Sequence, residues 1–174
     1  MIEFITDRRI YERVLQAEVP EARRFLWIAT ADIKDLHVHR GGRMAPFLEV
    51  LADRISCGVD VRLLHAREPG PAFRRDFDRY PELIHGLERI LCPRVHFKCV
   101  VVDGRFACTG SANLTGAGMG AKSERRRNFE SAIITDDHRL VQAVMEQFDR
   151  IWMGSHCEAC DRKAYCADYK HLLP

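Results

Sequence analysis

Apolar positions recur at two intervals along the chain, and the change from one to the other marks out its elements. Residues 8–17 carry Ile10, Val14 and Leu15 at helical spacing, with Pro20 ending or kinking the element. Residues 25–31 (FLWIATA) are an unbroken run of mainly apolar side chains and predict a buried strand. The polar, glycine-bearing stretch HVHRGGR at residues 37–43 predicts a loop. Helical spacing returns over residues 46–57, where Phe47, Leu48, Val50, Leu51 and Ile55 share a face and Gly58 suits a C-terminal cap. Residues 59–64 (VDVRLL) predict the next strand. The order helix, strand, helix, strand favours an α/β arrangement with partly parallel pairing.

The next stretch is less regular. Pro69, Gly70 and Pro71 break the chain, and residues 76–90 suit one or two short helices. Residues 95–102 and 105–109 predict a hairpin around Asp103-Gly104, a strong turn pair. Residues 110–127, rich in glycine, serine and arginine, predict a loop with one helical turn at most. A strand follows at residues 130–135, then an amphipathic helix at residues 137–153 with Leu140, Val141, Val144, Met145, Phe148 and Trp152. The pattern predicts an α/β fold, a mixed and mostly parallel sheet flanked by helices, over residues 1–155. A cysteine-bearing tail occupies residues 156–174.

Composition narrows the partners. The 174 residues suit one domain, and 47% hydrophobic content suffices for a core. Lysine and arginine number 27 against 25 acidic residues, so any attraction to phosphate must come from a local patch. The longest apolar runs, at residues 25–29 and 100–102, fall far short of the ~20 residues a bilayer-spanning helix needs. Met1-Ile2-Glu3 soon meets Asp7, Arg8 and Arg9, without the apolar core of a secretory signal. The expectation is a cytoplasmic protein that is not integral to a membrane. Seven cysteines, an odd count, argue against a disulfide framework and towards buried thiols with a metal site.

The chemistry concentrates in one stretch. Side chains alternate along a strand, so His96 and Lys98 share one face while Phe97, Cys99 and Val101 take the other. Imidazole serves as a nucleophile or an acid near neutral pH, and a neighbouring ammonium can hold a phosphate oxygen. The hairpin returns the chain so that residues 110–113 lie near His96. Gly110 permits close backbone approach, while Ser111 and Asn113 add donors for an anionic oxygen. Singly, each of these residues is ordinary in a strand or turn.

Jointly they resemble the HKD motif of the phospholipase D superfamily: H-x-K, four residues, D, six residues, then G-S-x-N. His96, Lys98, Asp103, Gly110, Ser111 and Asn113 stand at that spacing, and Asn128-Phe129-Glu130 is similar to the family's downstream N-x-E. The resemblance covers about residues 95–131. It implies a phosphodiesterase that works in two displacements. His96 attacks phosphorus to form a phosphohistidine, and a second motif histidine protonates the leaving oxygen. Water activated by that second histidine then releases the product. Lys98 and Asn113 would stabilise the equatorial oxygens, Ser111 would bind phosphate, Glu130 would orient a motif histidine, and Asp103 would support the turn. No metal is required for catalysis on this scheme.

The motif occurs once, yet the chemistry needs two histidines. The resemblance to the small single-motif bacterial endonucleases implies a homodimer with one shared site. The two histidines would then titrate as a coupled pair.

Outside the motif, Cys157 and Cys160, two residues apart, and Cys166, five further on, have a metal-like spacing. Cys92 is the first choice for a fourth ligand, followed by His156, His171 or Cys57. The run also resembles part of the iron–sulfur site in certain nucleases of unrelated fold, and thiolates suit structural zinc and a cluster alike. Cys99 and Cys108 suit small core positions. Arg125, Arg126 and Arg127, with Lys122, form a cationic run beside the motif, and His37, His39, Arg40 and Arg43 form another. Such groups contact successive phosphates without reading sequence. A nuclease acting on DNA or RNA is therefore the first reading. A phospholipase D-type enzyme on phospholipids is the rival, with Leu83, Ile84 and Leu87 as its only candidate apolar rim. A non-catalytic nucleic-acid-binding module is the third, and the His96–Lys98 pairing argues against it.

Overall fold

Two of the apolar runs, residues 25–30 and 60–65, pair in parallel near the centre of a seven-stranded sheet in the computed structural model, which describes residues 1–34 and 36–169. The strands are β1 (Ile2–Thr6), β2 (Phe25–Thr30), β5 (Asp60–His65), β6 (Leu87–Leu91), β7 (Lys98–Val102), β8 (Phe106–Gly110) and β9 (Ser131–Thr135). Their order is β1-β9-β8-β7-β2-β5-β6. A separate two-stranded hairpin joins β3 (His37–Arg40) to β4 (Arg43–Pro46). The expected mixed sheet flanked by helices is present. Parallel pairing is confined to β2, β5 and β6, and the other pairings are antiparallel. The division follows from the connections. Helix α2 (Phe47–Ser56) crosses over between β2 and β5, and α3 (Pro71–Phe77) with α4 (Pro81–Gly86) between β5 and β6. A tight turn between β7 and β8 allows only antiparallel pairing.

Helices cover both faces. On one lie α1 (Arg8–Ile10), its continuation in wide π turns (Tyr11–Glu18), and α2. Their Ile10, Val14, Leu15 and Leu51 join Ile28, Leu63 and Val102 in the larger core, each no more than 1% exposed. Full burial of such a side chain contributes ~1.5–3 kcal/mol. Pro20 gives no N–H to the preceding turn, and the element tightens into a short 3-10 turn, Val19–Glu21. The other face is covered by α5 (His138–Trp152), whose N-cap Asp137 accepts from the Arg139 and Leu140 amides. Phe148 of α5 is fully buried, with its ring centroid 5.0 Å from Trp27 and 5.6 Å from Trp152.

Three elements differ from expectation. Residues 37–43 are not a loop but most of the β3–β4 hairpin, turned at Gly41 and Gly42 with φ of +54° and +79°. Tertiary contacts hold it: the Tyr11 hydroxyl accepts from the His39 amide at 2.6 Å, and Gln16 donates to the His39 carbonyl at 2.9 Å. Strand β6 occupies residues assigned to a helix, because Glu88 and Arg89 interrupt its apolar pattern and only pairing with β5 reveals it. Edge strand β1 carries no period of its own and is set by its ladder with β9.

Beyond α5, a turn-rich tail docks beside the end of β6. The Leu91 amide donates to Asp168 at 2.7 Å, and Arg162 donates to the Pro93 carbonyl at 3.1 Å. Among the described residues no helix is long and apolar enough to cross a membrane.

Candidate active site

The β7–β8 hairpin places the motif at the carboxyl end of the parallel strands, where open α/β sheets bind their ligands. Asp103 and Gly104, at φ +55° and +69°, form its turn, and Lys98 pairs with Gly110 at its open end. Strand β7 begins at Lys98, so exposed His96 sits just ahead of the ladder rather than within it. The alternation holds: Cys99 and Phe97 pack with the α5 cluster, whereas Val100 faces the larger core. Lys98 is only 9% exposed. Its ammonium donates to the His96 carbonyl at 2.7 Å and lies 3.5 Å from His96 Nδ1. Folded back in this way, it sets its ammonium on the Nδ1 side of the imidazole.

Gly110 is required by proximity. A Cβ there would stand 2.3 Å from the Ser131 carbonyl oxygen, so any side chain would push β8 from β9. Ser111 hydroxyl donates to Glu130 and accepts from the Ser131 amide at 3.1 Å. It therefore holds Glu130, with its proton already committed. Glu130 also accepts from Asn128 at 3.0 Å; its partners within one chain are Ser111 and Asn128 rather than His96. Asn113 Oδ1 accepts from the Asp32 amide at 3.1 Å, which leaves its Nδ2 as the end free to donate.

Several supporting residues escaped the sequence reading. Asp7, at φ +48°, accepts from the Glu130 amide at 2.8 Å and donates its own amide to the Glu130 carbonyl at 3.0 Å. Thr30 accepts from the Leu114 amide at 2.9 Å and so positions the segment that carries Asn113. Both lie about a hundred residues from their partners, and neither position has a local signal; a positive-φ aspartate is legible only as backbone geometry.

Asp103 lies at the opposite end of β7 from His96, and its carboxylate accepts from the amides of Arg23, Arg24 and Phe25 at 3.0, 2.8 and 2.9 Å. Burial pulls its pKa upward, but the Phe25, Arg24 and Arg23 amides and the charge of Arg105 outweigh it and hold the group below the ordinary 3.8. It ties the turn to the start of β2. Replacing Asp103 by asparagine, which keeps one carbonyl oxygen and loses the charge, should cost ~2 kcal/mol at neutral pH. A depressed folded pKa contributes stability that is complete above the unfolded value and is lost as pH falls from there through the folded value. The gap between the two proteins in urea midpoint should therefore shrink below pH 3.8. A constant gap down to pH 3 would contradict this role.

The cationic groups fare unequally. Arg125, Arg126 and Arg127 lie on the loop before Asn128, and among the described residues their guanidiniums enter no ion pair. Arg40 instead pairs with Glu49 and Asp53, and Arg43 with Glu49 at 2.6 Å. Those carboxylates offset part of the charge of the second patch, whose His37 and His39 enter no ion pair among the described residues. The cysteines divide as well. Burial pushes the Cys99 and Cys108 thiols up to about 12, and both are core residues. Cys57 is exposed at the end of α2, whereas Cys92, Cys157, Cys160 and Cys166 surround a separate cavity beyond β6. His156 lines that cavity too, and His171 lies outside the described residues.

Comparison with known proteins agrees with this geometry. The family described as "Cardiolipin synthase, PLD-like domain" matches residues 6–152. A mitochondrial cardiolipin hydrolase of Xenopus tropicalis is 38% identical over 58 residues, which are 33% of this chain and 25% of that protein. The match thus spans a quarter of that relative. Among solved structures, Nuc of Salmonella typhimurium, a phospholipase D family member, superposes with a TM-score of 0.63 at 17% identity, covering 87% of this chain and 93% of that one. NucT of Helicobacter pylori gives 0.63 at 15% identity, covering 88% and 97%. At such identities the structural likeness speaks for the fold. With the family match across most of its length and the motif intact, the chain belongs to the phospholipase D-like family.

Proposed function

We propose that this chain is a metal-independent phosphodiesterase that cleaves nucleic acid at a site shared by two copies. The observation carrying this reading is a half-site: the Lys98 ammonium lies against His96 at the open end of the β7–β8 hairpin, just ahead of the segment that carries Asn113, and the motif supplies one histidine where the chemistry needs two. In the first displacement His96 Nε2 bonds to phosphorus as the P–O bond to the leaving group breaks. The partner's histidine gives that oxygen its proton. Water then bonds to phosphorus, its proton passes to the same histidine, and the P–N bond breaks. Lys98 and Asn113 donate to the oxygens on which charge builds, and the ion and amide are held ready beforehand. With Ser111 engaged inside the chain, its role is to fix Glu130, whose carboxylate would face a histidine across the dimer axis.

A second copy also suits the surface. Phe4 and Ile133, opposite one another in register, are 67% and 43% exposed on the face where Val101 and Ala107 are covered by α5. Uncovered apolar area of this kind marks an interface. The unpaired arginines at residues 125–127 favour a polyanion, and Phe129, 97% exposed between Asn128 and Glu130, offers a ring for a base to stack on. None of the seven cysteines is joined in a disulfide, which suits the cytoplasm.

Phe129 also favours the second reading, a phospholipid headgroup with the ring in the lipid, and the curated relative's name points the same way. Of the residues considered as a lipid rim, Ile84 is 58% exposed, but Leu83 and Leu87 are buried against the core, which leaves a single apolar side chain rather than a rim. The deciding measurement sets labelled DNA and RNA oligonucleotides against cardiolipin vesicles, all in excess EDTA. Faster turnover of an oligonucleotide is expected. Turnover of the vesicles alone would replace the nuclease reading, and dependence of either reaction on added metal would overturn the mechanism.

A further inference from the structure

We propose that Cys92, Cys157, Cys160 and Cys166 hold an iron–sulfur cluster of the four-iron kind, which clamps the tail onto the segment leading to His96. The four thiols come from two distant parts of the chain and line one cavity of about 250 Å³. The gathering is selective, because Cys99 and Cys108 belong to the core and Cys57 lies on the surface at the end of α2. The tail presents its cysteines from turns. The Cys160 amide donates to the Cys157 carbonyl at 3.2 Å, which brings those two residues onto one side, and the Tyr169 amide donates to the Cys166 carbonyl at 3.2 Å. Cys92 comes directly after β6, whose last residue, Leu91, accepts a hydrogen bond from the Cys166 thiol at 3.6 Å.

Size and charge choose the occupant. Around one zinc ion, with Zn–S of ~2.3 Å, four thiolates would sit only ~3.8 Å apart. Among the described residues no three cysteine, histidine or acidic side chains form a ready-made site for a single ion. A cluster carries its own iron and sulfide between the four thiolates and so suits a cavity of about 250 Å³ lined by four cysteines. Arg94, Arg162 and Lys163 line the walls against the negative charge such a centre brings. Trp152, Ile151 and Val95 add an apolar lining that limits water, which protects a cluster. The one described carboxylate in the lining, Asp168, is already bonded to the Leu91 amide. Each thiol gives up its proton on binding, so assembly is a folding event for the tail.

The test uses full-length protein produced with iron and sulfide supplied and purified without oxygen. About four iron atoms and four labile sulfides per chain are expected, with a brown visible absorbance. Both should vanish in Cys92→Ser and Cys160→Ser and persist in Cys57→Ser. Alkylation of native wild-type protein provides a check independent of those variants' folding: Cys57 reacts at once, while the four ligands react only after the colour is bleached. One zinc per chain, lost in the same two variants, would overturn the cluster in favour of a single ion. Absence of iron and zinc alike, or four thiols that alkylate freely from the start, would overturn the site itself. None of these readouts depends on phosphodiester cleavage, so this centre and the proposed activity stand or fall separately.

Discussion

Replacing His96 with alanine should lower phosphodiester cleavage by at least ~10³-fold, because in the proposed mechanism it removes both the group that bonds to phosphorus and the acid–base histidine contributed by the second copy. The side chain is exposed and lies ahead of the β7 ladder, so thermal unfolding should be unchanged. Loss of activity with loss of fold would mean that the ring has a structural role instead. Mixing the variant with wild-type chains tests the shared site. If each site needs one histidine from each copy, activity falls with the square of the wild-type fraction. If one chain suffices, it falls in proportion. Residual cleavage of more than a tenth in pure variant protein would dismiss His96 as the nucleophile.

Phe148→Ala is the largest expected stability effect. The ring is 0% exposed and stacks between Trp27 and Trp152, which ties α5 to the centre of the sheet. Removing a buried phenylalanine costs ~3–5 kcal/mol in lost transfer energy and residual cavity. For a domain of this size that lowers the unfolding midpoint by roughly 10 °C. Circular dichroism on heating measures it directly. A fall of under ~2 °C would show that α5 is not part of the cooperative core. Trp152 also lines the cysteine cavity, so the same variant should loosen the tail.

The motif was legible because its groups follow one another along the chain. His96, Lys98, the Asp103-Gly104 turn and Gly110 span a single hairpin, whose alternation and tight return are local rules. The same holds for α5, where six apolar residues keep helical spacing over four turns. Strand β6 and the β3–β4 hairpin were not legible. Their residues mix charge with apolar side chains, and they become strands only when β5 or the N-terminal helix supplies hydrogen-bonding partners.

By itself, then, the sequence determined the catalytic motif, the helices with a clear face, the central strands and the family they compose. Each depends on interactions within a few residues, which spacing encodes. Tertiary structure alone decided which cations are free. Arg40 and Arg43 find Glu49 by folding, while among the described residues the arginines at residues 125–127 find no carboxylate. It also decided that Ser111 holds Glu130, that Asp7 clamps the same residue from the far end of the chain, and that four of seven cysteines face one cavity. These pairings join residues with no constraint on one another until the sheet closes between them, so the order of the chain carries no record of them.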